Sequence, residues 1–551
     1  DFLALGMLSL VEECTELIVA SGKELVDLSR IDMNDPKVFK MIQDGDTVGV
    51  FQIESRAQIQ MLPRTRPQTL DDLAVQVAIV RPGPIIGGAV TPYVEHRQQE
   101  RTSFLPIRPH YDHPCLIPVL AETHGVVLYQ EQVLQVAMAY AGFTPGEAEG
   151  FRRAMSRKRS QEAMAALKEK FIAGALREHG EPRAKAEEVF KKLAGFASYG
   201  FPKAHAVAFA LLAYQSCYLK YYYPAEFTCA LLNNQPMGFY PPHVLINDAK
   251  RHKLRVLSPD INLSGVRCSL DGGNGIRIGL GYVKELGEEP AQRIVLEREA
   301  NGEYRSLADF VRRVALPTAA VENLIAVGGA DRFGLGRREA LWQIGLFVSS
   351  QRFGTKRTTE NGRQMPLALP VGQDGAELRP MGAWDQMAAD YAILGLSPRY
   401  HPLGLLRHRL PEHFVTTADL ERLGDKTEID IAGLTVCRQR PGTAKGITFL
   451  LLEDEHGLVN VIVYPNLYER QRLVVRGEPF VVISGTLQKQ NDTINIIASW
   501  IRPMEDARKR FAAIPARELD DVEPRFDWER KQEQEREREL AVVSPESHNY
   551  R

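Results

Sequence analysis

Near residue 428 the chain changes its repeat. Upstream of it, apolar residues recur at helical spacing between Pro/Gly loops. Downstream, "EIDIAGLTVCRQR", "ITFLLLED", "LVNVIVY", "PFVVISGTLQKQ" and "TINIIASWI" are short β-rich runs at regular intervals. The change of repeat marks a boundary between a helical part and a β part. Five runs with a helical interruption at "PNLYERQRLVV" predict a five-stranded barrel of OB type. The length agrees: 551 residues, at roughly 100–200 per domain, make about three to five cores. With 44% hydrophobic and 25% charged residues and a net charge of -2, the composition is that of a soluble globular protein and excludes disordered and collagenous classes. Near-neutral totals can still hide basic faces, which have to be read locally.

Ahead of the barrel, residues 1–30 read as a short strand followed by an amphipathic helix with Leu10, Cys14, Leu17 and Ile18 on its apolar stripe. "MNDPKVF" predicts a helix start, with Asn34 or Asp35 as cap and Pro36 in the first helical position. The chain is then mostly helical to about residue 260, interrupted by loops such as "VRPGPIIGG" and "GFTPGEAEG". Two similar units in 276–346 each place a glycine turn between helical patterns, which predicts paired helix-hairpin-helix elements. Residues 351–380 lose periodicity and read as a linker, and "DWERKQEQEREREL" reads as a solvated or disordered tail.

Six cysteines without a CxxC pair fit neither a disulfide framework nor a cysteine-based zinc site, and point to a reducing, cytoplasmic compartment. No apolar run of about 18 residues predicts a membrane span, so no membrane partner is expected. No signal peptide opens the sequence, and without an initial Met an upstream natural N-terminus is left open.

Several stretches carry chemistry. In "AEGFRRAMSRKRS", Arg152, Arg153, Arg157, Lys158 and Arg159 fall within one or two helical turns with no acid after Glu149, a cationic face able to neutralise phosphates. On charge alone a solvated basic helix end fits equally well. In "FASYGFPKAHAVAFALLAYQ", Lys203 and His205 follow a Gly/Pro loop at the start of a long helix, where they would add to its N–H groups and dipole as an anion site. His205 by itself reads as a structural histidine. Gln130 and Gln132 at the head of another helix, "GVFQIES", and Arg81 of "RPGP" are each ambiguous between a ligand contact and an ordinary polar position. In "RPHYDHP", His110, Asp112 and His113 lie close together, but the spacing matches no zinc pattern and no fourth ligand offers itself, so it reads as an ordinary loop.

Taken together and in order, "DFLALGMLSL", "DTVGVFQIESRAQIQML", "AIVRPGPI", "GVVLYQEQVLQVAMAYAGFT", "FRRAMSRKR", "FASYGFPKAHAVAFALLAYQSCYLKYYYPAEF" and "DINLS" resemble the α-type catalytic subunit of bacterial DNA polymerase III, from residue 1 to about 505. "LLNNQPMGFYPPHVLINDAKRH" and "ADYAILGLSPRYHPLGLLR" are most similar to its error-prone, damage-inducible branch. The resemblance implies a multidomain α+β architecture. A palm remnant of nucleotidyltransferase type would occupy 1–35, mainly helical fingers 36–262 and tandem helix-hairpin-helix elements 263–350. A linker with connecting helices would take 351–425, the C-terminal five-stranded OB barrel 426–505 and the charged tail 506–551.

The implied activity is lesion-tolerant DNA synthesis, adding deoxynucleotides to a primer 3′ end by phosphoryl transfer with two Mg²⁺ ions. In the family, three palm aspartates hold the metals, and Asp1 matches the third, which implies Asp1 as a catalytic, metal-binding residue. The other two would lie N-terminal to it, so the chain looks like the polymerase cut within its palm. One aspartate cannot position both ions, and the chain alone is then expected to be inactive. Arg81, Gly83, Gln130, Arg152, Arg153, Lys158, Lys203 and His205 are implied as nucleotide-binding residues. Arg438, Arg440, Lys445 and Phe449 are candidates for single-stranded DNA on the barrel.

Primed template DNA and dNTPs are the implied partners, with a sliding clamp or accessory damage-tolerance proteins beside them. "QIGLF" (343–347) is similar to a clamp-binding peptide, but it continues a predicted helix, where Leu346 and Phe347 read as core residues. The short tail departs from the main replicase, which argues against a clamp-loader partner. The rival reading is a non-enzymatic DNA-binding module or scaffold from a truncated polymerase.

Overall fold

The computed structural model describes residues 5–81, 84, 88–102, 111–156, 161–197, 201–354, 378–490, 493–504 and 548–550. The helix Pro36–Gln43 starts as its sequence predicts: Asp35 is the N-cap, its side chain accepts from the Lys37 N–H, and Pro36 needs no donor partner there. By contrast the opening segment is already helical from Leu5, as the helix Leu5–Ala20. Any leading strand would have to lie in residues 1–4, outside the described residues. Leu10, Cys14 and Ile18 are buried on this helix as its stripe predicts, together with Met7, while Leu17 is half-buried.

The chain divides into two units: residues 26–222 with 490–493, and residues 1–25, 223–489 and 494–551. The first is helical. Four phenylalanines, Phe143, Phe151, Phe171 and Phe190, form its aromatic centre, with ring centroids 5.5–6.2 Å apart in edge-on and stacked pairs. Around them pack the helices Gln130–Ala141, Pro145–Ser156, Gln161–His179 and Arg183–Ala197. Gly174 explains how closely two of these cross, since a Cβ there would lie 2.0 Å from the Ala141 carbonyl oxygen. No other residue fits without moving a backbone. A second layer holds the helix Leu70–Ile79, all of whose residues from Leu73 onward are buried, apolar ones but for Gln76, whose amide is bonded to Thr65 and Gln58.

In the other unit, helix Leu5–Ala20 is tied down by Glu13, which accepts from Asn233, Asn234 and Arg267 at 2.7 Å each. A small sheet of β1 (Arg255–Leu257), β2 (Ser269–Leu270) and β3 (Gly275–Arg277) follows, ordered β1-β3-β2. Helix-hairpin-helix geometry is complete in the second of the two predicted units. There the helices Thr318–Ala326 and Arg337–Gly354 are joined across a turn that Arg337 locks by donating to Asp331 and to the Ala326 carbonyl. The first unit opens on β3 and a single 3₁₀ turn, Leu280–Tyr282, before its helix Glu288–Asn301.

After β4 (Phe414–Val415) come the five barrel strands: β5 (Glu428–Gln439), β6 (Thr448–Glu453), β7 (Leu458–Val463), β8 (Phe480–Gln490) and β9 (Thr493–Pro503). They close in the order β5-β6-β7-β9-β8, with β8 returning to β5 and β7 running parallel to β9. The helices Pro465–Arg470 and Arg472–Gly477 interrupt between β7 and β8. This is the five-stranded OB arrangement. Closure depends on β5, whose first half pairs β8 and second half β6, with a bulge between Thr435 and Cys437. At the crossover Gly433 leaves room for Leu452, 2.3 Å from where its Cβ would stand. Ile429 and Ile431 face the barrel core while Ala432 and Leu434 face Met387 and Tyr391 of the helix Ala383–Leu394. Burial on both faces explains why β5 is apolar almost throughout.

No helix among the described residues is long and apolar enough to cross a membrane.

Candidate functional site

Two helix starts meet in the helical unit. Tyr129 and Phe201 form a parallel β-bridge, and the Gln130 N–H donates to the Phe201 carbonyl at 3.0 Å. The helices Gln130–Ala141 and Lys203–Tyr222 begin directly behind these residues, so two N-termini lie side by side and the positive ends of their dipoles coincide. Glu131 answers part of it, its carboxylate accepting from the Lys203 N–H at 3.1 Å through both oxygens. The Lys203 ammonium pairs with Glu122 and stands 6.0 Å from the centre of the Tyr129 ring.

The arginine helix joins the same cluster. Arg152 donates to both oxygens of Glu149 at 3.0 and 2.8 Å and reaches the Gln130 amide oxygen at 3.5 Å, and Arg153 donates to Glu149 at 2.7 Å. Hydrogen bonds from Arg152 and then Arg153 hold the Glu149 carboxyl down at about 2, and the same bond raises the Arg152 guanidinium above its usual value. Arg81 lies 4.1 Å over the Phe201 ring, and burial lowers it. His205 sits edge-on between Phe201 and Phe209, at 5.0 and 4.3 Å between ring centres. Burial, and then the charge of Arg81, lower its pKa and favour the neutral imidazole at pH 7.

Thus Arg81, Gln130, Arg152, Lys203 and His205 gather around the paired helix starts beside the Phe201 and Tyr129 rings, and Arg153 is tied to them only through Glu149. Asp1, Gly83 and Lys158 lie outside the described residues. The counter-ions Glu122, Glu131 and Glu149 and the platform of Tyr129 and Phe201 went unread in the sequence. Glu149 was the legible one, three and four residues before its arginines, the spacing at which helical side chains meet. Glu122 and Glu131 reach Lys203 across more than 70 residues, which no local pattern records.

On the barrel the four candidates part company. Arg438 is 7% exposed, its guanidinium donating to the carbonyls of Val475 and Glu478, and burial lowers its pKa to about 10. It closes the end of the helix Arg472–Gly477 and does not face a ligand. Arg440 is exposed, lies 4.0 Å over the Tyr468 ring and pairs loosely with Glu469 at 3.6 Å. Lys445 is exposed in the turn between β5 and β6, and Phe449 is half-buried opposite Gln439. These three share one end of the barrel with the Tyr468 ring. In the clamp-like stretch, Gln343 and Ile344 are buried at 3% and 1% inside their helix, and nothing is described for the side chains of Leu346 and Phe347.

The model of the family described as bacterial DNA polymerase III alpha subunit finger domain matches residues 7–179, and that of the helix-hairpin-helix motif matches residues 253–340. Among curated proteins, the chain is 42% identical over 506 residues to a Corynebacterium glutamicum protein named error-prone DNA polymerase, covering 92% of this chain and 46% of that protein. It is 41% identical over 525 residues to one of the same name from Anaeromyxobacter sp. strain K, covering 92% and 45%. A Mycobacterium tuberculosis protein of that name is 41% identical over 505 residues, covering 90% and 44%. The chain spans about half the length of the curated relatives it matches. On the finger-domain match and on identity sustained along nine tenths of its residues, the chain belongs to the bacterial DNA polymerase III alpha subunit family, among relatives named error-prone DNA polymerase.

Proposed function

We propose that this chain is the nucleotide-receiving and template-handling part of an error-prone DNA polymerase, an enzyme that extends a primer 3′ end with dNTPs and serves lesion-tolerant synthesis. One observation carries the reading: Arg152 and Lys203 converge with Gln130, His205 and Arg81 on two adjacent helix N-termini, with Arg153 beside Arg152 on their shared partner Glu149. A triphosphate is the ligand such a place fits. Backbone N–H groups and guanidinium forks meet its oxygens, and the Phe201 and Tyr129 rings supply a surface beside them. By resemblance Gly83 and Lys158 are assigned to nucleotide binding as well. The neutral His205 donates or accepts without adding charge.

Divalent ions held by carboxylates would supply charge stabilisation for the phosphoryl transfer. The described cluster does not fit such ions, since Glu122, Glu131 and Glu149 are each already engaged by a cation or a backbone N–H. By resemblance the metal role is given to Asp1. The helix-hairpin-helix region and the exposed end of the barrel, with Arg440, Lys445 and Phe449, would hold template without sequence preference.

Titrating the purified chain with a fluorescent dNTP tests this reading. Arg152→Ala with Arg153→Ala is expected to weaken binding about tenfold or more, and unchanged affinity removes them from the site. The alternative of a DNA-binding module is separated by primer extension. The 551-residue chain should bind primed DNA and leave it unextended with Mg²⁺ and dNTPs, and robust extension would refute the role given to Asp1.

A further inference from the structure

The loop "YDHPCL" and the end of a distant helix bring together three metal-ligating side chains. His113, Cys115 and His179 each place one ligand atom within 4.8 Å of the other two, and all three are half-buried. Their surroundings set both imidazoles alike. His179 Nε2 donates to the Ala139 carbonyl at 2.9 Å, which leaves the lone pair of that ring on Nδ1. His113 Nδ1 accepts from the Cys115 N–H at 3.2 Å, so its lone pair is on Nδ1 too and an ion bound there would replace this capping bond, while its Nε2 faces Glu181 Oε1 at 3.7 Å. His179 thus has a hydrogen-bonded carbonyl behind Nε2, the outer-shell arrangement that orients metal-bound histidines, and the Glu181 carboxylate stands behind Nε2 of His113 at a distance longer than a hydrogen bond. The two rings stand 4.5 Å apart and both lie 5.9 Å from the buried ring of Tyr140, which keeps one side of the cluster dry.

We propose that His113, Cys115 and His179 form a binding site for a thiophilic divalent ion, Zn²⁺ by its chemistry, that staples the 113–116 turn to the C-terminal end of the helix Gln161–His179. One thiolate and two neutral imidazoles are a donor set that suits Zn²⁺ and not Mg²⁺ or Ca²⁺. Tetrahedral bonds to sulfur and nitrogen set ligand atoms roughly 3.3–3.6 Å apart, which modest side-chain rotation reaches. On binding, the thiol releases its proton to solvent and the sulfur forms the bond as thiolate. The net +1 charge of ion and thiolate then faces Glu181, whose carboxylate is otherwise held by Lys185 at 2.9 Å. Water takes the fourth position.

Cobalt reports the site directly. Co²⁺ added to the chelator-treated full chain should give tetrahedral visible bands and a thiolate-to-cobalt charge-transfer band, saturating at one equivalent, and Zn²⁺ should displace them and raise the melting temperature. Cys115→Ser should abolish the charge-transfer band. His179→Gln should weaken Zn²⁺ at least tenfold in competition with a chromophoric chelator, and Glu181→Gln about 10–100-fold. Should Cys115→Ser fail to fold, His179→Gln decides alone. A charge-transfer band that survives Cys115→Ser, Zn²⁺ affinity unaltered by His179→Gln, or no saturable binding in the parent chain would each overturn the proposal.

Discussion

At the scale of single residues, charge in this chain is governed by what stands next to it. Arg152 and Arg153 look like a free cationic face in the sequence, yet in the structure both pair with the single carboxylate of Glu149, which offsets one of their two charges. A polyphosphate therefore has to displace a carboxylate to use them. Glu149→Gln is expected to tighten dNTP binding roughly two- to fivefold, the worth of releasing exposed ion pairs, and weaker binding would mean that Glu149 chiefly aims the guanidinium groups. Asp390 is the opposite case: a carboxyl buried at 2%, accepting from Ser397 Oγ at 2.8 Å. Burial raises it to about 6, against the pull of Arg337, Arg399 and Lys250. The folded state then holds a proton that the unfolded chain gives up at lower pH. Its contribution is full below about pH 4 and is lost as pH rises through about 6, an amount of up to about 3 kcal/mol. Asp390→Asn keeps an acceptor and should flatten that slope in denaturant midpoints measured from pH 4 to 8. A slope identical to that of the parent would place the titration elsewhere.

At the scale of elements, the structure separates glycines that a sequence cannot tell apart. Gly174 and Gly150 both lie inside helices, but the first meets the Ala141 backbone and the second has open space around it. Gly174→Ala should destabilise by about 1–3 kcal/mol through forced separation of two helices, while Gly150→Ala should stabilise by about 0.5–1 kcal/mol from helix propensity alone. Thermal unfolding of the two variants checks this, and equal effects would deny the close crossing. The same contrast explains what was legible. The Asp35 cap, the hairpin turn before Arg337 and the five barrel strands with their helical break rest on neighbours in sequence, so pattern and turn chemistry reveal them. Arg438 was misleading because a basic residue near a strand end looks the same whether it faces DNA or caps a helix 37 residues away. His179 was invisible as a companion to His113 and Cys115, since only packing of the Phe171 helix brings residues 64 positions apart together.

At the scale of the whole molecule, a net charge of -2 supplies no general attraction to DNA, so affinity has to come from local surfaces. The end of the barrel with Arg440, Lys445 and Phe449 is one, combining exposed cations with two rings. Binding there has two separable parts. Cations act by releasing counterions, with log affinity falling against log salt at about 0.7 per phosphate neutralised on a single strand. Aromatic stacking is nearly independent of salt and is worth about 1–3 kcal/mol per base. Arg440→Ala with Lys445→Ala should therefore reduce the salt slope by about 1.4, and Phe449→Ala should lower affinity equally at every salt concentration. Titrations of a fluorescent single strand across a range of salt distinguish the two. If neither variant alters affinity or slope, the barrel end is not where the strand lies, and the cationic cluster at the paired helix starts becomes the surface to test next.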